Sequence, residues 1–154
     1  MFRIVLITLL AGLFALPAQA REACTLDGFT INHLPEGLGT PSDFEYEWED
    51  VTFHSRVWET TADDATTVDL TLKTLRGDRI ADVESLRDFL TEYHEKDPAT
   101  WDLTPTRLGS YGGYVTDGQA FYFVSPGVAA ELTIDRSRYP QEALLATAEG
   151  FHPA

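Results

Sequence analysis

Strict alternation constrains this chain more than any other feature. From Asp43 onward, Phe44, Tyr46 and Trp48 fall on one side, and Asp43, Glu45, Glu47 and Glu49 on the other. A period of two is extended chain with its two faces in different surroundings. The same pattern returns in Val51–Trp58, where Val51, Phe53 and Val57 share a side. It returns again in Val68–Leu75 and in Val128–Asp135, where Val128, Ala130, Leu132 and Ile134 are read as inward and Glu131, Thr133 and Asp135 as outward. Gly28–Leu34, Tyr114–Thr116 and the nearly all-apolar Gln119–Val124 add further strands. Trp101–Leu108 is extended but interrupted by Pro105. Asp117-Gly118 and Pro126-Gly127 mark tight turns, and the acidic, Thr-rich stretch Thr60–Thr67 reads as a loop or hairpin turn.

Two segments break the period. Asp82 is a good helix N-cap, because its carboxylate accepts from free amides of the first turn. After it, Val83, Leu86, Phe89, Leu90 and Tyr93 recur at three-to-four spacing and form one apolar stripe. The helix ends before Asp97-Pro98, since the residue preceding proline disfavours helical geometry. Pro140 opens a second helix carrying Leu144, Leu145 and Ala148, with Gly150 as its stop. Successive antiparallel pairings with few crossovers predict an α+β domain: a single antiparallel β-sheet with two helices packed on one face.

Residues 1–20 read as an export leader. Arg3 precedes an apolar run from Ile4 to Leu16, and Pro17-Ala18-Gln19-Ala20 ends in the Ala-x-Ala pattern that signal peptidase cuts after. The run is short of the about 20 apolar residues of a membrane span, and no later segment could serve as one. The expected organisation is a signal peptide at 1–20, a short flexible tail at 21–27 and one α+β domain at 28–152. The expected location after cleavage at Ala20 is secreted, or the periplasmic or cell-envelope space. The chain carries a net charge of −14 with His neutral, and loss of Arg3 makes the mature chain one unit more acidic. Nucleic acid and anionic lipid would repel such a protein, whereas cationic partners would not. The lone Cys24 cannot form an internal disulfide, so the fold must stand on its apolar core. That thiol is free, bridged between chains or lipidated, although Arg21, Glu22 and Ala23 before it match a lipoprotein signal poorly.

No motif names a chemistry. His33, His54, His94 and His152 include no pair at the i, i+4 spacing of a helical zinc site. There is no nucleophile elbow, phosphate-binding loop or dinucleotide fingerprint, and the acidic loop Thr61–Ala65 lacks the order of a calcium loop. No catalytic residue, metal or cofactor is therefore expected. The aromatic residues form the most informative constellation. Phe44, Tyr46 and Trp48 make a strip that is either the buried face of a sheet or a surface that stacks on sugars or on a partner's apolar groups. Tyr46, Trp48, His54 and Trp58 are the candidate binding residues. The reading is a secreted, non-enzymatic binding or interaction domain of the cell envelope, with an unknown protein or an envelope glycan as partner. The alternatives are a small secreted hydrolase, with His54 in a deep pocket, and a purely structural envelope protein.

Three segments, His33-Leu34-Pro35-Glu36-Gly37-Leu38, Ser85-Leu86-Arg87-Asp88-Phe89-Leu90 and Pro126-Gly127-Val128-Ala129 leading into Glu142–Glu149, carry a family likeness. Over about residues 28–150 the chain resembles small exported or membrane-tethered actinobacterial domains of unknown function. Some of these are similar to the extracellular domains appended to anti-sigma factors. The chain departs from the tethered kind in having no retained transmembrane helix and no cytoplasmic sigma-binding part. The resemblance implies no catalytic residue.

Overall fold

The computed structural model describes residues 24–154. The export leader and its cleavage point lie outside the described residues. Among the described residues, ten strands and two helices follow in the order β1 (Thr25–Leu26), β2 (Phe29–Ile31), β3 (Thr40–Trp48), β4 (Val51–Ala62), β5 (Ala65–Arg76), α1 (Val83–Tyr93), β6 (Thr104–Leu108), β7 (Tyr111–Thr116), β8 (Gln119–Ser125), β9 (Val128–Ile134), α2 (Gln141–Glu149) and β10 (Phe151–Pro153).

The chain is mostly β, and its strands form two sheets. Seven strands run in the order β3-β4-β5-β9-β8-β7-β6, and three in the order β1-β2-β10. Every pairing is antiparallel. Two meanders, β3-β4-β5 and β6-β7-β8-β9, meet where β5 pairs with β9, and α1 carries the chain between them to the far edge.

The expected single sheet with both helices on one face is overturned. On one face of the large sheet, Leu70, Leu72, Ala120, Tyr122, Ala130 and Leu132 pack with Leu144 and Ala148 of α2 and with Phe29 and Phe151 of the small sheet. On the other face, Phe53, Leu75, Phe121 and Ala129 pack with Leu86, Phe89 and Leu90 of α1. The cause lies in the central strands. β8 points Ala120 and Tyr122 one way and Phe121 the other, and β5 does the same with Leu70 and Leu72 against Leu75. A strand that is apolar on both faces must be covered on both faces.

Local chemistry sets the connections. At Asp27-Gly28, Glu49-Asp50 and Asp63-Asp64 both residues have positive φ, the requirement of a type I′ hairpin turn. The turn at Asp63-Asp64 is only two residues long, so most of Thr60–Thr67 is strand rather than loop; its β-branched threonines suit extended chain. Thr25–Leu26, inside the stretch read as a tail, pairs with β2. Pro105 sits in the edge strand β6, where a missing amide costs least. Asp82 caps α1 as expected, accepting from the Ser85 amide at 2.7 Å, while Ser85 Oγ accepts from the Asp82 amide at 3.0 Å. Gly113 lies against the β8 backbone; a Cβ there would fall 2.0 Å from the Phe121 carbonyl oxygen. Fully buried Tyr122 donates its hydroxyl to the Phe151 carbonyl, tying the large sheet to the small one.

Candidate functional site

The register of β3 on β4 sorts the candidate residues onto two faces. Phe44, Tyr46 and Trp48 lie opposite Ser55, Phe53 and Val51, on the α1 side. Asp43, Glu45 and Glu47 lie opposite Arg56, His54 and Thr52, on the small-sheet side. The strip is divided: Tyr46 and Trp48 pack against the core under α1, and Phe44 is exposed. Tyr46 stacks on Phe53 with ring centroids 4.9 Å apart, and its hydroxyl lies 2.9 Å from that of Tyr93. Burial, then the Tyr93 hydrogen bond, raises the Tyr46 phenol above its ordinary value. Trp48 meets Phe89 and Tyr93 edge-on. Phe44, past the end of α1, is 54% exposed. Trp58 is 5% exposed in the opposite core and is no surface residue.

His54 lines an open groove of about 410 Å³ between β1 and the β3–β4 pair, with Thr25, Leu26, Asp27, Asp43, Phe44, Glu45 and Arg56. Its Nε2 lies 3.3 Å from Glu45 Oε2. Its Nδ1 is buried 3.4 Å from Asp27 Oδ2, with no aligned hydrogen bond. Asp27 is held by Thr74 Oγ1 and Arg76 Nε, each at 2.6 Å. Arg56 grips Asp43 through two bonds of 2.7 and 2.8 Å, and that hydrogen bonding holds the Asp43 carboxyl below its ordinary value against the opposing effect of burial. Three carboxylates meet two guanidiniums, Arg56 on Asp43 and Arg76 on Asp27, so Glu45 is left as the carboxylate without a guanidinium partner and the groove is weakly anionic. Thr25 is the one hydroxyl residue among those lining it, and the groove is open where the hydrolase alternative calls for a deep pocket.

A second polar cluster escaped the sequence reading. Glu131, read as outward, is 0% exposed. Its Oε2 lies 2.5 Å from His94 Nε2 and accepts from Gln119 Nε2 at 2.9 Å, and its Oε1 lies 3.2 Å from Lys73 Nζ. Burial pushes this carboxyl up; the His94 bond, the Lys73 and His94 charges and the Gln119 bond together outweigh it and leave the group below its ordinary value. His94 caps the C-terminal end of α1, and its ring reaches on to the sheet. In β9 the alternation was correctly phased, but α1 covers the face called outward. A polar residue on a strand with two covered faces was the available signal.

Among the described residues, no group of three or more His, Cys, Asp or Glu is placed to hold a metal ion, and no helix is long and apolar enough to cross a membrane. Cys24 is exposed and unpaired with another cysteine. No family model, no curated protein and no solved structure matches the chain.

Proposed function

We propose that this protein is a non-enzymatic binding domain of the cell envelope that captures an extended, basic segment of a protein partner along the edge of β3 that no described strand pairs with. The observation that carries the reading is Phe44, a large apolar side chain 54% exposed in the middle of a nine-residue edge strand. An edge strand offers unpaired amides and carbonyls, and a peptide that adds to it gains main-chain hydrogen bonds along its length.

Charge selects the partner. Asp43, Glu45 and Glu47 share one face of β3; Asp43 is paired with Arg56, so Glu45 and Glu47 carry the charge offered to a partner. A second copy of the chain laid on this edge would bring like-charged rows together, whereas Lys or Arg at alternate positions of an added strand would lie beside them. The overall charge of −14 acts in the same sense at long range. Residence in the envelope rests on the export leader, and the likeness to extracellular domains of anti-sigma factors agrees with an interaction role.

The test is fluorescence anisotropy of a labelled alternating Lys-Val peptide titrated with the purified protein. The expected result is binding that weakens with salt and is lost in Glu45→Lys/Glu47→Lys. The same peptide N-methylated at alternate residues should fail to bind, because strand addition needs its amides. Equal binding of the N-methylated peptide, or of an alternating Glu-Val peptide, would overturn the reading.

A further inference from the structure

A groove of about 460 Å³ lies on the opposite side of the large sheet, between α1 and the β6–β7 edge. This is within the volume range of small-ligand sites, about 300–1,000 Å³. Its apolar lining is Trp101, Tyr114, Leu103, Pro98 and Pro105, and its polar lining comes from Arg87, Asp88 and Thr91 of α1. Trp101 is propped from behind by Phe121, with centroids 5.8 Å apart, and by His94 at 6.1 Å. The Arg87 guanidinium lies over the Tyr114 ring, 5.7 Å from its centroid, with Nη1 3.4 Å from the Tyr114 hydroxyl. Arg87 Nη2 and Asp88 Oδ1 are 3.3 Å apart, and both side chains remain open to solvent, 40% and 73% exposed.

We infer that this groove is a binding site for a neutral oligosaccharide. A pyranose ring has an apolar C–H face and a rim of hydroxyls, each both donor and acceptor. The groove offers the matching halves: the half-buried Trp101 ring for stacking, and a planar donor, held over the buried Tyr114 ring, beside a carboxylate acceptor at the rim. The charges of Arg87 and Asp88 cancel locally, and the net charge of −14 works against polyanionic chains. A proline-rich peptide also favours aromatic grooves, but proline has no amide hydrogen, so Asp88 would face it without a donor. The inference is independent of the β3 reading: the two sites lie at opposite edges of the large sheet and share no lining residue.

The experiment is NMR titration of the labelled protein with cellotetraose and with the β-1,4 N-acetylglucosamine tetramer, followed at the Trp101 indole and the Arg87 side chain. At least one of the two is expected to bind and shift both signals. Asp88→Ala and Arg87→Gln are each expected to weaken that binding about tenfold, the loss of one charge-assisted hydrogen bond. Trp101→Ala removes stacking, but it also leaves a gap against Phe121, so the two rim variants decide the matter. The inference is overturned if neither saccharide binds at millimolar concentration, if both rim variants bind as well as the parent, or if oligoproline binds the groove and the saccharides do not.

Discussion

Gly112 and Gly113 are adjacent and indistinguishable as sequence, yet the fold asks different things of them. A Cβ at Gly112 meets nothing within 4 Å. A Cβ at Gly113 would sit 2.0 Å from the Phe121 carbonyl oxygen and 2.7 Å from the Cα of Tyr122. Those atoms are backbone of a buried central strand and cannot rotate away. Gly112→Ala is therefore expected to leave urea stability within about 0.5 kcal/mol of the parent, or to raise it by restricting the unfolded chain. Gly113→Ala is expected to cost about 3 kcal/mol or more, since β7 must move off β8. Equal midpoints for the two variants would sink this account. Glu131 carries the same lesson. Alternation assigned its face, but whether that face meets water or a helix is decided by α1, far away in sequence.

At the scale of elements, the period-two and three-to-four patterns located most strands and both helices, because each depends on neighbours a few residues apart. The number of layers depends on which strands are central, and that is a long-range property. Gln119–Val124 is legible as nearly all apolar, and a run apolar on both faces argues for a strand covered on both sides, which the expectation of one covered face did not use. β3 shows the reverse case. Its aromatic row begins under α1 with Trp48 and Tyr46 and emerges beyond the helix end at Phe44, a boundary that no alternation encodes. Its acidic row guards the edge. With Glu45→Thr/Glu47→Thr, β3 becomes a flat strand of β-formers with an apolar side chain at its centre. Concentration-dependent self-association is expected on size exclusion with light scattering, under conditions in which the parent is expected to run as a monomer. If the variant stays monomeric across the concentration range in which the β3 peptide test is run, the edge is blunted by something other than charge.

Over the whole molecule, two buried carboxylates clasp distant parts of the chain, and they set how the fold responds to acid. Glu131 joins β9 to β5, to β8 and to the end of α1. Asp69, 0% exposed, accepts from Thr60 Oγ1 at 2.6 Å and from the Gly39 amide at 2.9 Å, and pairs with Arg138 before α2, so it ties the β2–β3 connection to the sheet. Burial pushes both carboxyls up, and their hydrogen bonds and cations outweigh it, so both lie below their ordinary values of 4.5 and 3.8. In the unfolded chain they return to those values. The unfolded state then binds protons first, and stability falls as pH drops. The contribution is complete above the ordinary values, shrinks as pH passes below them, and is gone once pH has crossed the lower folded-state values. Exposed carboxylates work against this trend, since their protonation relieves the repulsion of a net −14 chain. Comparing the parent with Glu131→Gln and Asp69→Asn separates the two effects, because the repulsion changes little when one of 25 acidic groups is removed. Each variant is expected to be less stable than the parent at neutral pH, Glu131→Gln by about 3 kcal/mol because Lys73 and His94 lose their partner. That gap should close as pH falls below 4.5 for Glu131→Gln and below 3.8 for Asp69→Asn. Urea midpoints measured from neutral pH downward check it. A gap that stays constant through the acid range would mean that these carboxylates act by shape and not by charge.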